Sequence, residues 1–361
     1  MTVAIVNKKT GKELKISDKQ AEEFFGPLHG VKNIMCLPCS SEVDMSWETV
    51  PNVYQIKKAG LKRKKVKGTL IIRMGGIGDL LMISSGMREM KYRGEAITLA
   101  TLPQHVLFMK SMEICPVISI EDMDQYEFDK LIDLRFAVEP KELGTCCKAT
   151  WEDYTLKDRT DAFDELLGVY PARKRFSLLP IEGYEPEEIT NAIGDEPFVA
   201  INASIVASAR AIPMQYIEPI CRKIITKLGV PVVLFGMSQP WNYDLTKISR
   251  TGLINLIDKT DWKELLSLIG MADTVVTPDT GSLHIAAAMN KKTLGLFGCI
   301  NPRTRVSYYP TVRALYPVGE LPCVPCWDLH PCVTKPQDSV KCMMLLKPDR
   351  VVNSIKELGG Y

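Results

Sequence analysis

Two short stretches carry residue types and spacings that could do chemistry. In the first, Gly75-Gly76-Ile77-Gly78-Asp79 follows the apolar run Thr69–Met74; in the second, Asp279-Thr280-Gly281-Ser282 and then His284 follow the run Thr274–Thr277. Glycines at a strand-to-helix turn let a ligand approach backbone closely. A carboxylate such as Asp79 at the mouth of a cleft could take a proton from an incoming hydroxyl, although an ordinary helix cap accounts for the same residue. In the second stretch Gly281 admits close approach, Thr280 and Ser282 add hydroxyl donors, and His284 lies about one turn inside the following helix. A helix start offers unpaired N–H groups and a partial positive charge, so the guest expected there is an anion, best a phosphate or diphosphate. A capped helix with a satisfied histidine is the plainer account. Arg210, in a strand-to-helix loop ahead of Pro213, could reach phosphate oxygens bidentately or could be an ordinary surface arginine.

These residues need elements to hold them. Thr274–Thr277, His284–Asn290 and Thr293–Phe297 read as a βαβ unit of a parallel sheet, and ligands sit at the carboxyl ends of such strands. The same alternation starts at Thr69–Met74 and the helix Leu80–Tyr92 and continues through the strands Ala96–Leu102, Pro116–Ile120 and Lys130–Asp133 and the helices Gln104–Ser111 and Asp158–Leu167. Leu179–Pro197, rich in Pro, Gly and acids, marks a boundary, after which strand Phe198–Ala203 opens a second α/β half. The fold class is therefore α/β: two doubly wound halves, with the site in the cleft between them.

At 361 residues the chain has room for two domains. Apolar content of 46% and charged content of 24% belong to soluble globular proteins, and a net charge of +2 advertises neither nucleic acid nor anionic membrane. No apolar run reaches the roughly 18 residues of a membrane span, and the amino terminus lacks a signal-peptide core. With eleven cysteines, several inside apolar segments, the expected location is cytoplasmic. Residues 1–56 read as an appended α+β module: hairpin Thr2–Val6 with Glu13–Ile16, helix Asp18–Phe25, and Cys36 and Cys39 in a lone C-x-x-C. Lys57–Lys67, with seven basic residues in eleven, reads as a linker (57–68) or a polyanion contact. Cys323, Cys326, Cys332 and Cys342, with His330 among them, could hold a structural metal, form disulfides or simply make a cysteine-rich loop.

Taken in order, GGIGD at 75–79, the helix at Asp158–Gly168, Arg210 before Pro213, and DTGSLHIAAAMNKKTLGLFG at 279–298 resemble the ADP-heptose:lipopolysaccharide heptosyltransferases over about residues 69–358. The resemblance implies a GT-B architecture, two Rossmann-like domains facing a cleft, with residues 69–185 taking the acceptor and 186–361 the nucleotide-sugar donor. It implies an inverting, metal-independent glycosyl transfer from a donor such as ADP-heptose to a glycan or lipopolysaccharide-like hydroxyl, with no cofactor. Asp79 would be the general base. Arg210, Asp279, Thr280, Gly281, Ser282 and His284 would hold the donor, and Gly75, Gly76 and Gly78 would form the acceptor-side loop. The chain departs from the family at Arg210-Ala211-Ile212-Pro213, where a lysine and a tryptophan are usual, at Ser85 in place of a proline, and in its first 68 residues. Transfer to a nucleic acid or modified nucleotide, motivated by the basic run, and a non-catalytic nucleotide-binding module are the alternative readings.

Overall fold

In the computed structural model the described residues are 2–6, 13–17, 63–135, 137–138, 156–204, 210–237, 251–317, 321, 324–326 and 340–361. The expected helix at 18–25, the C-x-x-C at 36–39, the first part of the basic run, His330, Cys323 and Cys332 lie outside them. Chain contacts divide the molecule into residues 1–62 and 63–361. The described part of the first unit is an antiparallel hairpin of β1 (Thr2–Val6) and β2 (Glu13–Ser17), as the alternation there predicts.

The second unit holds two parallel sheets. Four strands, β3 (Lys64–Ile72), β4 (Ile97–Thr101), β5 (Val117–Ser119) and β6 (Tyr126–Asp133), lie in the order β5-β4-β3-β6. They are interleaved with helices α1 (Ile77–Tyr92) and α2 (Pro103–Ser111), and α3 (Arg159–Leu167) follows them. Helix α4 (Glu187–Ala192) precedes the second lobe. There β7 (Val199–Asn202), β8 (Val232–Gly236), β9 (Leu253–Ile257), β10 (Thr274–Pro278), β11 (Lys292–Leu296) and β12 (Val312–Leu315) are ordered β12-β11-β10-β7-β8-β9. Helices α5 (Met214–Lys223), α6 (Trp262–Met271), α7 (Gly281–Ala288), α8 (Arg303–Val306), α9 (Lys341–Met344) and α10 (Pro348–Gly359) accompany them.

Period-two alternation shows why β7 is central. Val199 and Ile201 enter one apolar cluster and Ala200 the other, so the sheet is covered on both faces. The cluster holding Ala200 also contains Ile71, Leu81, Phe163, Phe176, Val275 and Ala286, so one continuous apolar core joins the two lobes. Helix α7 is apolar all round and buried from Leu283 to Ala288, which fits its place inside that core.

Two boundaries differ from expectation. β3 begins at Lys64 rather than Thr69: Lys64–Val66 pair with Tyr126–Phe128, ahead of a register shift, so the end of the basic run is strand rather than linker. Its lysines are tolerated because this part of the strand is largely solvent-exposed. Helix α1 starts at Ile77, with Gly76 in the N-cap position, so Asp79 stands inside the first turn and is not a cap.

Candidate active site

The carboxyl ends of β3 and β10 deliver the two loops that the sequence singles out, and the helices that follow them meet at their amino ends. Ideal β-carbon positions measure how closely. A methyl on Gly78, second residue of α1, would stand 2.6 Å from His284 Cδ2 and 3.1 Å from its Nε2. One on Gly281, first residue of α7, would stand 3.5 Å from Ile77 Cβ. Only glycine at 78 permits this approach. Gly75 is equally constrained, its missing methyl falling 2.3 Å from Asp79 Oδ2, whereas Gly76 faces open space.

Asp79 is gripped from both sides. Arg73 Nη2 donates to Oδ2 at 2.6 Å and Arg159 Nη1 to Oδ1 at 2.7 Å. Arg73 itself is 2% exposed, donates to the Leu134 carbonyl at 2.7 Å and lies 5.1 Å from the Phe163 ring centroid. Burial pushes the Asp79 carboxyl up, but the guanidinium groups of Arg159 and Arg73 outweigh it and hold the group well below the usual carboxylate range. It is a fixed anion.

On the facing helix the charges are arranged differently. Asp279 is 4% exposed and sits among three basic side chains: Arg210 Nη1 donates to its carbonyl at 2.8 Å and lies 3.5 Å from Oδ2, Arg305 Nε is 3.7 Å from Oδ2, and His284 Nε2 is 3.9 Å from Oδ1. Burial would raise its pKa, and Arg305 and Arg210 bring it down. Asp279 therefore orients Arg210 and Arg305. Thr280 occupies the N-cap position of α7 without a side-chain cap bond; its hydroxyl accepts from Asn202 Nδ2 at 3.0 Å and contacts Thr277 Oγ1 at 3.2 Å. The first N–H groups of α7 have no acceptor within the helix. His284 is buried, and burial, aided by Arg305 and opposed by Asp279, pushes its pKa down to about 4, so the imidazole is neutral. Its Nδ1 lies 3.1 Å from the Tyr309 hydroxyl.

The structure thus brings together Asp79, Gly75, Gly78, Arg210, Asp279, Thr280, Gly281 and His284. Arg210 is held against Asp279 with its side chain still 38% exposed. Sequence reasoning missed Arg73, Arg159, Arg305, Asn202 and Tyr309. A cation ending the buried run Thr69-Leu70-Ile71-Ile72 was a signal for Arg73; Arg159 and Arg305 meet their carboxylates only through the fold. The cysteine-rich segment, read as a possible metal site, disulfides or a plain loop, is described in part: Cys326 and Cys342 are both buried in the second lobe's core, and no cluster of metal-binding side chains occurs among the described residues. None of the described helices is long and apolar enough to cross a membrane.

Four guanidinium groups, those of Arg73, Arg159, Arg210 and Arg305, are gathered here against Asp79 and Asp279, beside a helix amino end. Such a place stabilises an anion that gains charge during reaction, as a departing diphosphate does. Comparison with known proteins gives the fold and the family. A lipooligosaccharide heptosyltransferase 2 from Campylobacter jejuni is 33% identical over 116 residues, covering 32% of this chain, and the chain spans about a third (35%) of that relative's length. The structure of the E. coli ADP-heptose lps heptosyltransferase II superposes with a TM-score of 0.61 at 17% identity, covering 81% of this chain and 98% of that one. A family 9 glycosyl transferase from Veillonella parvula gives 0.61 at 14% identity, covering 82% and 99%. These likenesses show the GT-B fold. Residues 146–330, just over half of the chain, match Glycosyltransferase family 9 (heptosyltransferase), and to that family this chain belongs.

Proposed function

We propose that the chain is an inverting glycosyltransferase that moves heptose, or a similar sugar, from a nucleoside-diphosphate donor, ADP-heptose first, to a hydroxyl of a lipopolysaccharide-like acceptor. One observation carries this reading: a carboxylate on one lobe and an anion-favouring helix start on the other meet, with Gly78 against His284. In this scheme residues 69–185 bind the acceptor and residues 186–361 the donor. The diphosphate lies on the amino end of α7, within reach of Arg210, the Thr280 and Ser282 hydroxyls and His284. The acceptor oxygen attacks the anomeric carbon from the face opposite the diphosphate, the bond to the diphosphate oxygen breaks with its electron pair, and the acceptor proton passes to Asp79.

A carboxylate held so firmly anionic is a weak base, and that suits the step. The hydroxyl becomes strongly acidic only once its oxygen is bonding to carbon, so proton transfer comes late and needs a fixed, ionised acceptor more than a basic one. Metal-independence follows the same logic, since both buried carboxylates face guanidinium groups, which supply the positive charge the leaving diphosphate needs. The exposed basic residues Arg63, Lys64, Lys65 and Lys67 give the reading a second anchor, a contact with acceptor phosphates, in a cytoplasmic protein working at a membrane face. Transfer from ADP-heptose to a heptose-deficient lipopolysaccharide core, followed by mass spectrometry and by NMR of the product anomer, tests the proposal. Inverted product is expected; failure of ADP-heptose and of ADP to raise the melting temperature would end the assignment of donor.

A further inference from the structure

Resting on that reading, we infer that Tyr309 is a positioning residue that sets the tautomer of His284, so that the neutral ring presents Nε2–H, and not a lone pair, to the diphosphate. Tyr309 lies just beyond α8, and its ring is 5% exposed, packed edge-on against Phe176 at 4.8 Å between centroids and against His284 at 5.6 Å. Neighbouring rings therefore fix where its hydroxyl can be. Among the described residues the hydrogen-bond partner of that hydroxyl is His284 Nδ1, 3.1 Å away.

The direction of this bond follows from the cost of its reverse. Burial drives the phenol pKa well above its ordinary value, so the hydroxyl keeps its proton and must place it on an acceptor. If Nδ1 carried the hydrogen and donated to the phenol oxygen, the buried phenolic proton would be left without a hydrogen-bond partner among the described residues, since the Asp158 carboxylate acts on the phenol by charge alone. With Tyr309 donating, Nδ1 uses its lone pair there, and the proton of the neutral imidazole sits on Nε2. Nε2 lies 3.9 Å from Asp279 Oδ1, beyond hydrogen-bond reach, and faces the junction with α1, where a methyl on Gly78 would stand 3.1 Å away. A donor at this point attracts a phosphate oxygen. A lone pair at the same point would repel it and would compete with Asp79 for the acceptor proton.

The test is ¹⁵N NMR of the full-length wild-type protein without substrate, joined to kinetics of Tyr309→Phe. The chain has four histidines, and His284→Gln assigns the signal. Expected is a ring whose Nδ1 resonates as unprotonated and whose Nε2 resonates as protonated. Loss of the single hydroxyl should mix the tautomers and lower kcat about tenfold, with the donor KM within about twofold. A wild-type ring protonated at Nδ1, an unchanged tautomer in Tyr309→Phe, or mixed tautomers with unchanged kcat would each overturn the inference. The NMR result needs no substrate, so an Nε2–H ring in a protein that transfers no sugar would uphold the hydrogen-bond assignment and count against the proposed function instead.

Discussion

The first turns of α1 and α7 face one another, follow parallel strands in the same way, and are loaded in opposite senses. In α1 the third residue is Asp79, an anion held by two arginines. In α7 the corresponding turn offers Gly281, Ser282 and a neutral His284, and its nearby carboxylate, Asp279, serves to aim arginines. Two helix starts placed alike after parallel strands thus carry a clamped anion on one side and a turn without a carboxylate of its own on the other. What separates them is where each carboxylate stands: Asp79 inside the first turn of its helix, Asp279 ahead of the N-cap residue Thr280. The contrast suits the proposed displacement, with attack and departure on opposite faces of one carbon.

Removing the anion from α1 should break the contrast most. Asp79→Asn keeps the shape and loses the negative charge, and kcat is expected to fall by about 10²–10⁴, the usual worth of a general base, with donor KM little altered. Unchanged turnover would show that the proton leaves by another route. The melting temperature should be measured alongside, because both guanidinium groups lose a charged partner and breaking a buried pair costs about 3–5 kcal/mol.

The clamp comes next. Arg159→Ala removes one charge-assisted bond, worth about 1.5–3 kcal/mol, so kcat/KM should drop about ten- to a hundredfold. Because Arg159 lowers the Asp79 pKa, its loss must move the acid limb of the pH–rate profile to higher pH. A profile that stays in place would mean that Arg159 does not act on Asp79 during turnover.

How far these residues could be read beforehand depends on the range of their interactions. Asp79 and the run Asp279–His284 were legible because each lies in one contiguous loop at a strand end, where local rules place ligands. Arg210 was legible in part, through its neighbour Pro213. Arg159 was hidden because its partner is 80 residues away, and its helix reads from sequence as an acidic one. Tyr309 follows a short helix in a stretch with no periodic signal. Among the elements, β12 is only four residues long, and the start of β3 was masked by its lysines, whose charge says more about solvent exposure than about backbone conformation.

The junction between the helices can be tested without touching charge, using two nearby glycines, Gly76 at the N-cap of α1 and Gly78 inside its first turn. Gly78→Ala puts a methyl 2.6 Å from a buried imidazole carbon, so the helices must move apart, and overpacking of this kind costs about 1–3 kcal/mol. Gly76→Ala meets nothing within 4 Å at a φ of −67°, and a change of less than about 0.5 kcal/mol is expected. Urea unfolding of the pair gives the difference directly. Equal losses would mean that α1 and α7 do not meet as described.

The smallest effect concerns the neutral ring of α7. Burial holds the His284 pKa down to about 4, below its value in the unfolded chain, so between these two values the unfolded chain binds the extra proton. Stability therefore rises with pH across this window and is lost as pH falls from about 6.5 toward 4, by about 1 kcal/mol between pH 7 and 5.5 and never more steeply than about 1.4 kcal/mol per pH unit. Asp164 works in the opposite direction. Burial raises its pKa to about 6 despite Lys174, so the native state is the better proton binder there and stability falls as pH rises through that range. The wild-type curve alone mixes the two slopes. Subtracting the curve of His284→Gln isolates the histidine, and the difference should grow as pH falls below 6.5; a flat difference would show a ring whose pKa is not lowered by burial, and the contrast of a neutral α7 with an ionised α1 would fail at low pH.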